Sequence, residues 1–329
     1  LSYTGGQLSA VRWSIIVCTL NRADKLAANL NRLKTLDNPE GGYEIIIVDN
    51  GSTDKTAEVV KRFQDVTAGV IYSREEIKGL SHARNAGISV AHGELIAFID
   101  DDAWPAGNWL IELEKGFEDT GVGCVGGMVL PVWPQGVHHP AWLHKRLMGL
   151  LTIVDYDKRR ILHYPDYPAG TNIAFRKAIF EKIGYFNARL GRSDDSLLSM
   201  EESEMCLRVE SYGYQIVYLP GAVVNHEIHA DRLTREWLRR RAYWQGISAA
   251  VLELMFFSRW KMLMKSLLYI LYAVIGLAGK IFFRYVSMEK MAFFCDAQAF
   301  LCSGYLRHMA RSWSRLLGNL NFPSFFGRR

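Results

Sequence analysis

The chain has 329 residues, 49% of them hydrophobic and 22% charged, enough for one large domain or two with an ordinary buried core. That balance excludes a disordered or collagen-like chain, and nine prolines exclude a Pro-rich linker. Five cysteines (Cys18, Cys124, Cys206, Cys295, Cys302) with no CxxC pair argue against a disulfide framework or a cysteine zinc site, and for a reducing compartment.

The net charge of +5 hides an asymmetry. Residues 231–329 carry 16 Lys and Arg against 5 Asp and Glu, while the first 230 carry 23 against 29. A basic, Trp- and Phe-rich tail on an acidic body suits an anionic partner. Its basic residues interleave with apolar runs, so the expected partner is a membrane surface rather than nucleic acid. Leu1–Trp13 lacks the apolar stretch of a secretory leader, so none is expected there.

Strand and helix signals alternate through the first half. Apolar runs at Trp13–Cys18, Glu44–Asp49, Val70–Tyr72 and Leu95–Ile99 predict buried parallel strands. Helical spacing predicts helices at Ala23–Leu36, Asp54–Phe63 (capped by Ser52 or Thr53) and Leu80–Ala91. This alternation predicts an α/β domain with a mostly parallel sheet. A helix at Trp109–Phe117 and a strand at Cys124–Pro131 follow. Between them Gly121-Val-Gly-Cys-Val-Gly126 matches GxGxxG, but it ends a helix and opens a strand, the reverse of a dinucleotide site.

Val132–Pro168 has no clean period and predicts a long functional excursion, with His138 and His139 as candidate substrate contacts. A strand at Thr171–Phe175, helices at Lys177–Ile183 and Met200–Tyr212, and a strand at Ile216–Pro220 complete the body. Everything from Thr234 predicts helix, and Ser266–Phe283 holds one charge, Lys280. The organisation expected is a catalytic domain over 1–230 and a helical, membrane-associated region over 231–329.

Four features carry chemistry. Asp100-Asp101-Asp102 follow a buried strand at the carboxyl edge, where open α/β sheets bind ligands, and carboxylates one residue apart suit Mg²⁺ or Mn²⁺. Asp49 ends the second strand, placed either to read a base or ribose or to close an Asx turn. Glu201, Glu202 and Glu204 open a helix, as a general base or simply to suit the helix dipole. His226 adds a nitrogen that would complete an O,O,N metal site with Asp100 and Asp102, and His226-Glu-Ile-His229 is not HExxH.

Taken together, these segments resemble glycosyltransferase family 2, the inverting enzymes of the GT-A fold. The resemblance covers about Ser14–His229 and has five parts in family order. They are Ile15-Ile-Val-Cys-Thr-Leu-Asn21-Arg22, Ile46-Ile-Val-Asp49-Asn-Gly-Ser52-Thr-Asp54 and Gly79-Leu-Ser-His-Ala-Arg84-Asn85-Ala-Gly87, then the DxD-like Phe98-Ile-Asp100-Asp101-Asp102. The last is Gly170-Thr-Asn172-Ile-Ala-Phe-Arg176 with Glu201-Glu202. The resemblance implies a nucleotide-sugar donor, most often a UDP-sugar, held by Thr19, Asn21, Arg22, Asp49, Arg84, Asp100 and Asp101. It implies Mn²⁺ or Mg²⁺ on Asp100, Asp102 and His226, and acceptor contacts from Gly170, Thr171, Asn172 and Glu201. Glu202 is then the base, a Glu where the family usually carries Asp.

With the tail, the resemblance implies a lipid-linked glycan acceptor in polysaccharide or surface-glycan synthesis. The location implied is the cytoplasmic face of a bacterial inner membrane, peripheral or monotopic. Two other classes share parts of the pattern. A sugar-nucleotidyltransferase wants a Gly-rich phosphate loop after strand one, and Thr19-Leu-Asn-Arg22 has no glycine. An inactive binding protein on the same fold would explain the Glu202 replacement.

Overall fold

The computed structural model describes residues 11–137, 139–192 and 197–318. These separate into two compact units, residues 11–139 with 148–232, and residues 140–147 with 233–318.

The first unit begins β1(Trp13–Thr19), α1(Ala23–Leu33), β2(Tyr43–Asp49), α2(Thr56–Gln64), β3(Val70–Arg74), α3(Leu80–Val90) and β4(Leu95–Asp100). A short β5(Ala103–Pro105), α4(Trp109–Glu114) and β6(Val122–Val132) follow. After the two-residue β7(Arg160–Ile161) come β8(Ile173–Arg176), α5(Lys177–Ile183), α6(Glu201–Ser211) and β9(Gln215–Glu227). The GxGxxG stretch lies in and just before β6, opening no helix. The strand order is β3-β2-β1-β4-β8-β6-β9-β5, with β7 on β9.

The sheet is mixed. β3, β2, β1 and β4 run parallel, as their unbroken apolar runs predict, whereas β8 is antiparallel to both β4 and β6. Alternate residues of β1 feed two cores. Ile15 and Val17 pack with α1, α2 and α4, and Ile16 packs with Ile46, Phe98 and the α3, α5 and α6 side. Gly87 lets α3 lie directly on the sheet, since a Cβ there would stand 2.6 Å from Ile16 Cγ2.

Neither Ser52 nor Thr53 caps α2. The Ser52 hydroxyl instead accepts from the Asn21 N–H at 2.9 Å, and Asp54 Oδ1 accepts from the Thr56 N–H at 3.0 Å. Asp54 Oδ2 also takes the Ala23 N–H, so one carboxylate ties the starts of two helices.

The second unit holds α7(Arg235–Phe256), α8(Arg259–Tyr285) and α9(Glu289–Gly318). It includes Pro140–Leu147 from the middle excursion, whose Trp142 meets the Phe293 ring edge-on at 4.9 Å. α7 and α9 touch through glycines, Gly246 against the Leu301 carbonyl and Gly304 against the Tyr243 carbonyl. α8 is long and apolar enough to cross a membrane, and 6% of its most apolar window is buried.

Candidate active site

Parallel register brings the acids together. Thr19 pairs with Asp49 and Cys18 with Asp100, so all lie on the carboxyl edge of β1, β2 and β4. The chain then turns into β5, where Ala103 pairs with His226 of β9, and Glu227 N–H reaches the Asp102 carbonyl at 3.0 Å. This pairing carries His226 to the acids across more than a hundred residues of chain.

Asp100, Asp102 and His226 offer one oxygen, one oxygen and one nitrogen within 4.8 Å of one another, the one such metal-type group among the described residues. His226 Nε2 is 3.5 Å from Asp102 Oδ1, and its Nδ1 is buried with no partner. That set of two oxygens and a nitrogen, with Asp102 and His226 buried, fits Mn²⁺ or Mg²⁺.

Asp102 is ringed by cationic or protonatable groups. Arg22 Nη1 is 2.9 Å from Oδ2, His229 Nε2 is 3.3 Å, and Arg232 Nη2 is 4.0 Å. Burial opposes the Asp102 charge, but hydrogen bonds from His226 and His229 and the field of Arg22 outweigh it and hold the carboxyl well below its usual range. Asp101 differs. Burial pushes its carboxyl up to about 6, although Arg22 and the Thr19 hydroxyl, at 2.8 and 2.7 Å, pull the other way.

Other expected donor contacts are committed within the chain. Thr19 and Arg22 serve the acids. Asn21, at φ 52°, uses Oδ1 to accept the Thr53 N–H. Asp49 is buried, taking the Ser52 N–H at 2.7 Å on Oδ1, and the Tyr72 hydroxyl at 2.7 Å and Arg74 at 3.1 Å on Oδ2. Arg84 lies inside, donating to Glu201 Oε1 at 2.8 Å and toward the Gly170 carbonyl at 3.4 Å.

The expected acceptor segment also faces inward. Thr171 Oγ1 receives the Asp100 N–H at 3.4 Å. Asn172 is fully buried; its Nδ2 donates to the Met128 and Ala222 carbonyls at 2.8 Å each, and its Oδ1 receives the Trp109 indole N–H at 2.9 Å. Glu201 is buried and Glu202 partly so, and Oε2 of each is buried with no partner. Burial first, then the Glu201 carboxylate, push the Glu202 carboxyl up to about 8 against the pull of Arg84. Of the two excursion histidines, His138 lies outside the described residues, and His139 meets Trp133 edge-on at 5.8 Å.

Two groups escaped the sequence reading. Arg74 was legible only through register, since it pairs with Asp49 at the end of β3. Arg232 repeats the three-residue step from His226 to His229, a local spacing that its place in the basic tail obscured.

The chain is similar to known proteins over part of these segments. The profile described as "Glycosyl transferase family 2" matches residues 14–184. A glucosyl-dolichyl phosphate glucuronosyltransferase of Haloferax volcanii is 27% identical over 247 residues, covering 74% of this chain and 78% of that one. Glycosyltransferase AglE of the same organism is 35% identical over 124 residues, 37% of this chain and 41% of its own. The mannosyltransferase PcManGT of Pyrobaculum calidifontis, solved with GDP-Man and Mn²⁺, superposes with a TM-score of 0.60 at 19% identity, covering 91% of this chain and 87% of that one. That likeness shows the fold, and the profile spans just over half of the chain, which therefore belongs to glycosyltransferase family 2.

Proposed function

We propose that this glycosyltransferase is a divalent-metal-dependent inverting enzyme. It moves a sugar from a nucleotide sugar, by family resemblance a UDP-sugar, to a hydroxyl of a lipid-linked glycan at the cytoplasmic face of a membrane. The observation that carries this reading is the convergence of Asp100, Asp102 and His226 at the carboxyl edge of the sheet.

Asp100, Asp102 and His226 would hold the metal, which when bound offsets charge on the leaving diphosphate. Glu202, raised toward neutrality, takes the proton of the acceptor hydroxyl. That hydroxyl attacks the anomeric carbon from the face opposite the diphosphate, so an α-linked donor gives a β-linked product. Arg22, Thr19 and Asn21 border the donor side, while Gly170, Thr171 and Glu201 form the acceptor wall, with the Asn172 side chain buried behind it. Support for a lipid-linked acceptor comes from the Haloferax relative, whose name specifies glucosyl-dolichyl phosphate, and from the exposed apolar surface of α8.

The test is thermal stabilisation by UDP, GDP and dTDP, each with and without Mn²⁺. A ligand that binds only the folded state raises the melting temperature by mass action. A shift that needs both one nucleoside diphosphate and Mn²⁺ supports the reading and names the donor class. No metal-dependent shift with any of them, in detergent or lipid, overturns it.

A further inference from the structure

The family resemblance placed Arg84 beside the nucleotide. Its surroundings give it another task. Arg84 projects from α3 into the interior with 4% of its side chain exposed, equal to that of its partner Glu201. The Phe98 and Phe186 rings lie 5.6 and 5.4 Å from its guanidinium carbon. Gly170 makes room for it, because a Cβ there would stand 2.4 Å from Arg84 Nη2. One guanidinium thus reaches α6 through Glu201 and the acceptor segment through the Gly170 carbonyl.

Among the described residues, the charged groups that act most on Glu202 are Glu201 on α6 and Arg84 on α3, and Cys206 on α6 feels Glu202 in turn. Arg84 also feels Asp100 and Cys18 on the sheet edge, so it links the acid pair to the metal side electrostatically. Glu201 has one oxygen spent on Arg84, and both acids keep a buried, unpartnered Oε2.

We infer that Arg84 is the positioning residue of the acceptor side. It fixes Glu201 and the Gly170 backbone as one wall, leaving Glu202 as the carboxyl that exchanges a proton with the acceptor. This rests on Glu202 being the base. A buried ion pair is weak evidence for stability alone, since desolvation offsets much of the attraction. Its cost is accounted for if it sets geometry and field at the neighbouring acid.

Two measurements test this. The first needs no substrate: the difference in melting temperature between Glu202→Gln and its parent, followed from pH 5 to 10, tracks the titration of Glu202 in the fold. The second is release of nucleoside diphosphate from a panel of nucleotide sugars with Mn²⁺. Glu201→Gln should move the Glu202 midpoint down by about one pH unit, because a like charge is removed. Arg84→Met with Glu201→Gln, which leaves no unpaired charge, should give a midpoint between those of Glu201→Gln and the parent.

Arg84→Lys keeps the charge but loses the two-pronged reach. It should lower kcat by about tenfold or more while donor KM stays within about twofold. Gly170→Ala, which crowds the guanidinium, should reproduce that split. If these variants lose stability while the Glu202 midpoint and kcat stay at parental values, Arg84 is structural only and the inference fails. If the parent releases no nucleoside diphosphate with any glycan acceptor offered, the proposed transfer reaction falls, and the first measurement still decides the role of Arg84.

Discussion

Lys280 Nζ lies 2.8 Å from Asp296 Oδ1, joining α8 to α9. Lys280 is the one charge in the apolar run of α8, and its partner Asp296 also holds Arg239 of α7 at 2.6 Å. Lys265, at the other end of the run, is paired inward with Glu253 of α7. The ammonium groups of Lys265 and Lys280 therefore turn toward the neighbouring helices, and the outer face of α8 keeps Leu267, Leu271, Val274 and Ile281 exposed by 53 to 72%. These residues recur at steps of three, four and seven, one stripe along a helix about 40 Å long.

A membrane is the occupant expected for that stripe, since soluble proteins rarely leave so large an apolar surface in water. Replacing Leu267, Leu271, Val274 and Ile281 together by Gln should abolish sedimentation with anionic liposomes and leave the melting temperature within a few degrees. Lys280→Ala should do the reverse, lowering the melting temperature because the buried Asp296 carboxylate is left with Arg239, with little effect on lipid binding. Liposome binding that survives the four-Gln variant sinks the α8 anchor.

The same lysine shows where sequence reading stops. As a lone charge in an apolar run, Lys280 favours an in-plane or re-entrant element over a clean span; its pairing with Asp296 is not legible there, because the partner lies outside the run. The parallel strands β1, β2 and β4 were legible because both faces are buried and the run is continuous. β5 was not, because three residues carry no period, yet its pairing with β9 seats His226. Asn172 and Arg84 were legible as motif residues but not by orientation, which depends on Trp109, Glu201 and other groups distant in sequence.

The Asp100, Asp102 and His226 group predicts a metal-linked donor site. Asp102→Asn should remove the Mn²⁺-dependent part of the nucleotide thermal shift, which for a ligand at a hundred times its Kd is worth about 2.7 kcal/mol. His226→Gln should weaken it by roughly tenfold in metal affinity. Titration of Mn²⁺ by electron paramagnetic resonance checks both directly. Metal affinity equal to the parent's in both variants places the ion elsewhere.

Asn172 predicts a loss of stability rather than of acceptor choice. Its amide satisfies an indole N–H and two carbonyls where water does not reach. Asn172→Ala leaves all three unpaired and should cost about 3 kcal/mol in urea unfolding. Asn172→Asp keeps the bond to Trp109 but sets a carboxylate oxygen against two carbonyls, and should fold no better. A variant of native stability with altered acceptor preference would return the side chain to the acceptor surface.

Glu202 predicts opposite effects on activity and stability. As base it must be deprotonated, so kcat should rise with pH through a midpoint near 8. Glu202→Gln should lower kcat by about 10² to 10⁴ and flatten that limb, with Mn²⁺-dependent nucleotide binding retained. In stability the sign is reversed. The folded state holds the proton to about pH 8, whereas the unfolded chain releases it near the ordinary glutamate value of 4.5. Between these values the folded state binds more protons, so stability falls as pH rises, and above about 8 the full cost of ionising the buried acid stays in place. Glu202→Gln removes that cost. The variant should match the parent below pH 4.5 and melt several degrees higher at pH 9 while turning over far more slowly. Calorimetry at the two pH values decides it; equal melting temperatures at pH 9 mean that Glu202 ionises without penalty and is not the neutralised base.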